Sequence, residues 1–416
     1  MITSVPLFLF QLAVVLFAAK LGGEICHRYL KQPTVLGELV MGMIIGPYAL
    51  GGIPLPGIGP LFTPFMSTGA HSTPSNGNEL YLIAQVAIIL LLFSAGLGTD
   101  FRQFFRFAGP ASIVALGGEV FSFAFAALVA VAFGLADHFL SPGALFIGAI
   151  VGSTSVSIAA RVIRDMGKLG TPEGITILAA DVIDDVMGIL ILTVVIGITT
   201  IGEFHAVDAL LSLGKAVGFW LALTAAGILL AKYIVHFIIS FRVAGSAMAL
   251  ALALALFSSG LAEEFGLATI VGAYAIGLAL SNTELANILA RPMDTLHHIF
   301  VPIFFVVMGM LVDFQAVWGV FLFGLAIVVV AIVGKIIGCG LPSLGIGFNW
   351  IGAARIGFGM VPRGEVSLII AGIALTRGLI PSNMFGVAVM LVIFTAVITT
   401  VVLPWLFKKG GAGRRT

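Results

Sequence analysis

Ala179-Ala180-Asp181-Val182-Ile183-Asp184-Asp185-Val186-Met187-Gly188 places three carboxylates inside an apolar stretch running from about Ile175 to Gly197. A stretch of that length crosses a bilayer as one helix. An ionisable side chain at membrane depth costs roughly 2.5–3.5 kcal/mol on insertion scales, so three in one span are not accidental. Acids in such places usually face a water-filled cavity and mark an ion or proton path. Asp181 and Asp185 stand four residues apart and share a helix face. Asp184 points about 100° away from Asp185, so the adjacent acids have room for different partners. A carboxylate shielded from water holds a proton or a cation, but not both equally well. That competition is sufficient chemistry for exchange. The bland alternative is that the acids bridge neighbouring helices, and it is strongest for Asp181.

The rest of the 416-residue chain agrees with a membrane setting. It is 60% hydrophobic and 9% charged, where a soluble domain averages about 25% charged residues. The 52 glycines suit close helix packing in lipid. A net charge of +1 and the lack of a long basic tract give no reason to expect nucleic acid as a partner. Two cysteines, Cys26 and Cys339, make no disulfide framework and read as free buried thiols. The segment Met1–Pro6 has no basic start and reads as the beginning of the first span.

Hydropathy gives thirteen candidate spans, near 4–22, 34–52, 80–98, 109–134, 144–163, 175–198, 210–240, 245–263, 266–282, 296–312, 315–341, 350–376 and 382–407. With this assignment 16 of the 20 basic residues fall on one side, which puts the N-terminus outside and the C-terminus inside. Thirteen spans divide as six, one and six, the topology of two inverted repeats joined by a linker helix. The expected fold class is therefore an all-α polytopic membrane protein over residues 1–416. No soluble domain follows Trp405, and Lys408–Thr416 reads as a solvated tail.

Three further polar groups sit inside spans. Span 5 contains Gly152-Ser153-Thr154-Ser155-Val156-Ser157, whose hydroxyls can replace part of a small cation's water shell where a helix breaks. Back-bonding to the helix is the alternative. Span 11 contains Lys335 far from either end; a lone lysine at depth needs a counter-ion, and Asp184 is the natural one, with snorkelling to a surface as the alternative. Span 12 contains Gly357-Phe358-Gly359-Met360-Val361-Pro362-Arg363-Gly364-Glu365-Val366. Pro362 between glycines breaks the helix and frees carbonyls. Arg363 and Glu365 can neutralise one another or cap the half-helix ends, which is structural support for the break. His297-His298 reads as an interfacial pair at the end of span 10 rather than a pH sensor.

These motifs together resemble the second monovalent cation:proton antiporter family, and within it the bacterial sodium/proton antiporters of the NapA type. The resemblance covers nearly the whole chain. It rests on Gln32-Pro33-Thr34-Val35-Leu36-Gly37-Glu38 with Gly46-Pro47, Ser153-Thr154-Ser155-Val156 with Arg161-Val162, and Val182-Ile183-Asp184-Asp185-Val186-Met187-Gly188. Pro302-Ile303-Phe304-Phe305, Gly334-Lys335 and Pro362-Arg363-Gly364-Glu365-Val366 complete it. The resemblance implies that Asp185 is the principal cation and proton carrier and that Asp185 and Asp184 ligate sodium. It implies that Asp184 pairs with Lys335 when no ion is bound, and that Thr154 and Ser155 lie beside the ion. It implies a homodimer with spans 1–3 and 8–10 as the dimer part, spans 4–6 and 11–13 as a mobile elevator core, span 7 as linker, and spans 5 and 12 crossed and discontinuous.

Two departures stand out. Asp181 takes a place where relatives commonly carry a small apolar residue, so it is kept as a secondary site. Gly96-Leu97-Gly98-Thr99-Asp100 moves an acid two places from its usual position. In the family it resembles, an Asp-Asp pair goes with electrogenic exchange, so the resemblance implies that here, whereas potassium-efflux relatives typically carry Gln-Asp and a cytosolic nucleotide-binding domain.

The sequence thus predicts a bacterial inner-membrane sodium (or lithium)/proton antiporter, with no cofactor and no covalent chemistry. Potassium/proton exchange on the same scaffold is the alternative. A cation channel and a sodium-coupled symporter are disfavoured, since no filter loop and no additional polar cluster appear in the chain.

Overall fold

The computed structural model describes residues 4–55, 59–64, 78–98, 101–155, 158–159, 162–163, 166–168, 170–201, 206–265, 269–376, 378, 380–411 and 413–414. Val156, Ser157, Arg161 and the Thr99-Asp100 pair lie outside that set, as do the side chains of Asp185 and Glu365 within their helices. The described chain is almost entirely helical. Its β-structure is a short antiparallel hairpin, Pro54–Leu55 with Gly59–Pro60, and an isolated bridge between Phe348 and Arg414. Nine helices among the described residues are long and apolar enough to cross a membrane.

The chain forms two compact units. The first comprises Met1–Phe101 and Lys215–Phe314, and the second Arg102–Gly214 and Gln315–Thr416. The first unit holds α1 (Ser4–Ile25), α2 (Thr34–Ile45) and α3 (Asn78–Gly98). It also holds most of α7 (Ala206–Ser240), with α8 (Ser246–Glu264), α9 (Thr269–Leu280) and α10 (Glu284–Met310). α3 packs on α9 and α10, and α2 on α1 and α10. α9 is buried along its whole length, which explains an apolar helix with no polar stripe.

Two boundaries in this unit differ from those expected. α2 stops at Ile45, because Gly46-Pro47 ends the helix and the chain turns into the hairpin. α10 starts twelve residues before the hydropathic span, at Glu284. Its first turns are amphipathic, burying Leu285, Leu289 and Met293 at four-residue spacing while Glu284, Asn287 and Arg291 are exposed. A hydropathy window averages that pattern away. His297 and His298 therefore lie inside a continuous helix, where Lys20 donates to the His298 carbonyl.

The second unit holds α4 (Phe101–Ala132), α5 (Pro142–Gly152), α6 (Pro172–Ile201), α11 (Phe314–Trp318), α12 (Phe321–Gly345), α13 (Trp350–Gly359), α14 (Glu365–Thr376) and α15 (Ser382–Lys408). Proline opens α5 and α6, where its missing N–H costs nothing. Asn349 caps α13 by accepting from the N–H groups of Ile351 and Gly352. α12 packs on α13 and α15, and α5 on α6 and α14. The segment after α15 is exposed at Lys409, Gly410, Gly411 and Arg414, as a solvated tail would be, but it is anchored: Gly413 is buried, Asn349 N–H donates to its carbonyl at 2.9 Å, and Phe348 bridges to Arg414.

Candidate ion site at two helix breaks

Both polar spans of the second unit are interrupted at the places their sequences suggest. α5 ends at Gly152, and Ser153, Thr154 and Ser155 run on without helix. α13 ends at Gly359, residues 361–364 are non-helical, and α14 begins at Glu365. Pro362 explains the second break: it offers no N–H and pushes Val361 out of the helical region. The two breaks meet. The Ser155 N–H donates to the Pro362 carbonyl at 2.9 Å, so a carbonyl freed by one break satisfies an amide freed by the other. The Ser153 and Ser367 hydroxyls bond at 2.9 Å, and Thr154 Oγ1 donates weakly to the Met360 carbonyl at 3.4 Å.

Gly364 lets the two breaks approach this closely, since a Cβ there would overlap Ser155 Oγ. Gly364→Ala is therefore expected to push the breaks apart. Overpacking of this kind costs about 1–3 kcal/mol. The check is a melting curve together with the half-saturating cation concentration; a variant with both unchanged would show that the breaks do not set the site.

Arg363 is fully buried and holds the second break. Its Nη1 donates to the Met360 and Val361 carbonyls at 3.1 and 3.0 Å, and its backbone N–H donates to Thr395 Oγ1 at 3.0 Å. It thus caps the end of α13, in place of the missing next turn. Pro362 and Arg363 are the support of the break, while Glu365 starts α14 with its side chain outside the description.

The charged core lies beside these breaks. Asp181, Asp184 and Lys335 are each 0% exposed. Lys335 Nζ donates to Asp184 Oδ1 at 2.8 Å, so the lysine does not snorkel. On α6, Gly188 faces Ser153 and Val366, and Ile177 reaches Gly359. Asp181 and Asp184 fall between those two contacts, on the part of α6 that runs past the breaks. Asp185 is the next residue of the same helix.

One member was missed in the sequence. Glu119 of α4 is 1% exposed, and its Oε2 lies 3.8 Å from Lys335 Nζ. It is the one acid between residues 109 and 134, so the cost of an acid at membrane depth was the available signal. Small residues bring it there. Gly117 and Gly338 let the α4 and α12 backbones touch, as in other membrane helix pairs. Lys335 is thereby held between two carboxylates, and Ser122 Oγ accepts a long 3.5 Å contact from Arg363 Nη2. Such an arrangement can bind a monovalent cation through carboxylate, hydroxyl and carbonyl oxygens, and can trade it for a proton.

The model of the family described as sodium/hydrogen exchanger, transmembrane, matches residues 13–409. The chain belongs to that family. It is a multi-pass membrane protein and a transporter rather than an enzyme, as its relatives are. The chain is 33% identical over 401 residues to the Na(+)/H(+)-K(+) antiporter GerN of Bacillus cereus, covering 96% of each chain. It is 30% identical over 408 residues to the Na(+)/H(+) antiporter of Enterococcus hirae, covering 97% of this chain and 98% of the other. Among solved structures it resembles the sodium proton antiporter MjNhaP1 from Methanocaldococcus jannaschii, with a TM-score of 0.71, 18% identity and 96% of each chain covered. That likeness concerns the fold.

Proposed function

We propose that the chain is a sodium (or lithium)/proton antiporter in which the cation and protons compete for Asp185 and Asp184. The observation that carries this is the buried Lys335–Asp184 pair beside two helix breaks that meet. A cation arriving at the carboxylates competes with the ammonium group for Asp184. Lys335 is then released and gives up a proton, and the return step reverses the exchange. Thr154 and Ser155 lie beside the ion, and Asp181 is a secondary ligand on the same helix. With more protons than cations moved per cycle, the exchange is electrogenic.

In the same reading the thirteen spans form two inverted repeats with span 7 as linker. The first unit is the part that pairs in a homodimer, and the second is the core that moves as an elevator. The division of the chain after Phe101, Gly214 and Phe314 supports this assignment. The protein resides in the bacterial inner membrane, N-terminus outside and C-terminus inside, and contributes to pH homeostasis. Its substrates are monovalent cations and protons, with no cofactor. Potassium is retained as the alternative cation, since one of the relatives is described as handling it.

The test is proton flux in sealed proteoliposomes bearing an imposed proton gradient. Sodium or lithium is expected to dissipate the gradient. A response to potassium alone would keep the mechanism and change the ion. No response to any monovalent cation would end the proposal.

A further inference from the structure

We infer that the segment following α15 is an internal strap that sets the geometry of the ion site, with Arg355 as its positioning residue. The inference rests on the antiport reading only for one of its two readouts.

Arg355 lies on α13, two turns before the break at residues 361–364. It is 4% exposed, and Nη1 donates to Glu173 Oε1 at 2.7 Å. Glu173 opens α6, the helix that carries Asp181, Asp184 and Asp185. One ion pair therefore ties together the two helices that flank the site. A buried ion pair is secure only when the remaining donors are satisfied as well. Here the last turn of α15 and the segment after it satisfy them together. Nε donates to the Leu406 carbonyl at 3.3 Å, Nη1 to Gly411 at 3.2 Å and Nη2 to Gly410 at 3.1 Å. The guanidinium also sits over the Phe407 ring, 4.9 Å from its centroid.

The fit is close and specific. A Cβ at Gly413 would overlap the Glu173 carboxylate, and a Cβ at Gly352 would overlap the Gly413 carbonyl. Gly410 and Gly411 both take positive φ, which lets the chain turn back over Arg355. The Gly413 carbonyl accepts from Asn349 N–H, next to the cap of α13. The Arg414 guanidinium stacks over Phe348, 5.6 Å from its centroid. Gly410, Gly411, Gly413 and Arg414 thus anchor a glycine-hinged, cation-ended segment on the helix entering one break. Unseating it leaves Nη2 and half of Nη1 of a buried arginine without their carbonyls, and water must enter between α13 and α6.

The experiment compares the full chain with a chain ending at Lys409 and with Gly413→Leu, which keeps the length but blocks the seat. Hydrogen–deuterium exchange is read over residues 172–185 and 350–364. Faster exchange is expected in both segments for both variants, with the rest of the second unit unchanged. A synthetic peptide of residues 407–416 added to the shortened chain is expected to reverse it. The half-saturating sodium concentration should rise on the order of tenfold with the maximal rate nearly kept, below the roughly hundredfold that a 1 Å misplacement can cost. Exchange that changes only near residues 346–356, or equally across the whole unit, would overturn the strap. Deuterium uptake does not depend on transport. A full chain without cation-driven flux would therefore sink the antiport reading, and uptake would still decide this one.

Discussion

Asp185→Asn is expected to abolish cation-dependent proton flux while the protein stays folded. Asparagine keeps the shape of the side chain but can carry neither a proton to exchange nor a charge to hold a cation. Asp184 alone does not replace it, because without Asp185 the cation must displace the Lys335 ammonium, 2.8 Å from Asp184 Oδ1, with a single carboxylate to hold it. Loss of the partner of a buried charge costs about 3–5 kcal/mol, which at about 1.4 kcal/mol per tenfold is a loss of cation affinity from roughly a hundredfold to several thousandfold. Folding should be spared, since a neutral amide at membrane depth is easier to bury than a carboxylate. The measurement pairs flux in proteoliposomes with a melting curve in detergent. Flux above a tenth of wild type would move the carrier role to another residue.

Lys335→Gln should separate exchange from current. The ammonium is completely buried, with Asp184 at 2.8 Å and Glu119 at 3.8 Å. If it releases a proton each time a cation takes Asp184, it is the group whose charge makes the cycle electrogenic. Moving one charge across 100 mV is worth about 2.3 kcal/mol, so the current is readily detected when present. With glutamine in its place, exchange is expected to continue electroneutrally, and sodium-jump currents on a supported membrane should fall to background. Current equal to wild type refutes the role. The same substitution leaves two carboxylates facing each other without a cation, a penalty of about 3–5 kcal/mol for a broken buried pair. Lys335→Gln combined with Asp184→Asn and Glu119→Gln should recover much of that stability, because removing the lysine together with both of its carboxylate neighbours leaves none of the three charges uncompensated. This recovery identifies the three charges as the source of the loss, independently of transport.

The broad plan of the protein is legible in its residues because lipid is an unforgiving solvent. A backbone that must satisfy its own hydrogen bonds at membrane depth has to be helical, so apolar length translates directly into spans. The same cost makes each buried charge legible: Asp184 and Lys335 were readable as partners because neither is stable alone. Pro362 and the Ser153-Thr154-Ser155 run marked the two breaks, since proline removes a donor and hydroxyls fit lipid poorly.

Contacts between distant segments come from the packing of the helices. That the breaks meet through Ser155 and Pro362, that Glu119 shares Lys335, and that Arg363 caps α13 all depend on which helices touch, and one-dimensional hydropathy carries no such information. The amphipathic start of α10 was averaged out of the hydropathy window for the same reason. The seating of Gly410–Arg414 was hidden more deeply. Its glycines and arginines have the composition of a solvated end, and what draws them in is Arg355 with Glu173, a buried pair that needs carbonyls the sequence places more than fifty residues away.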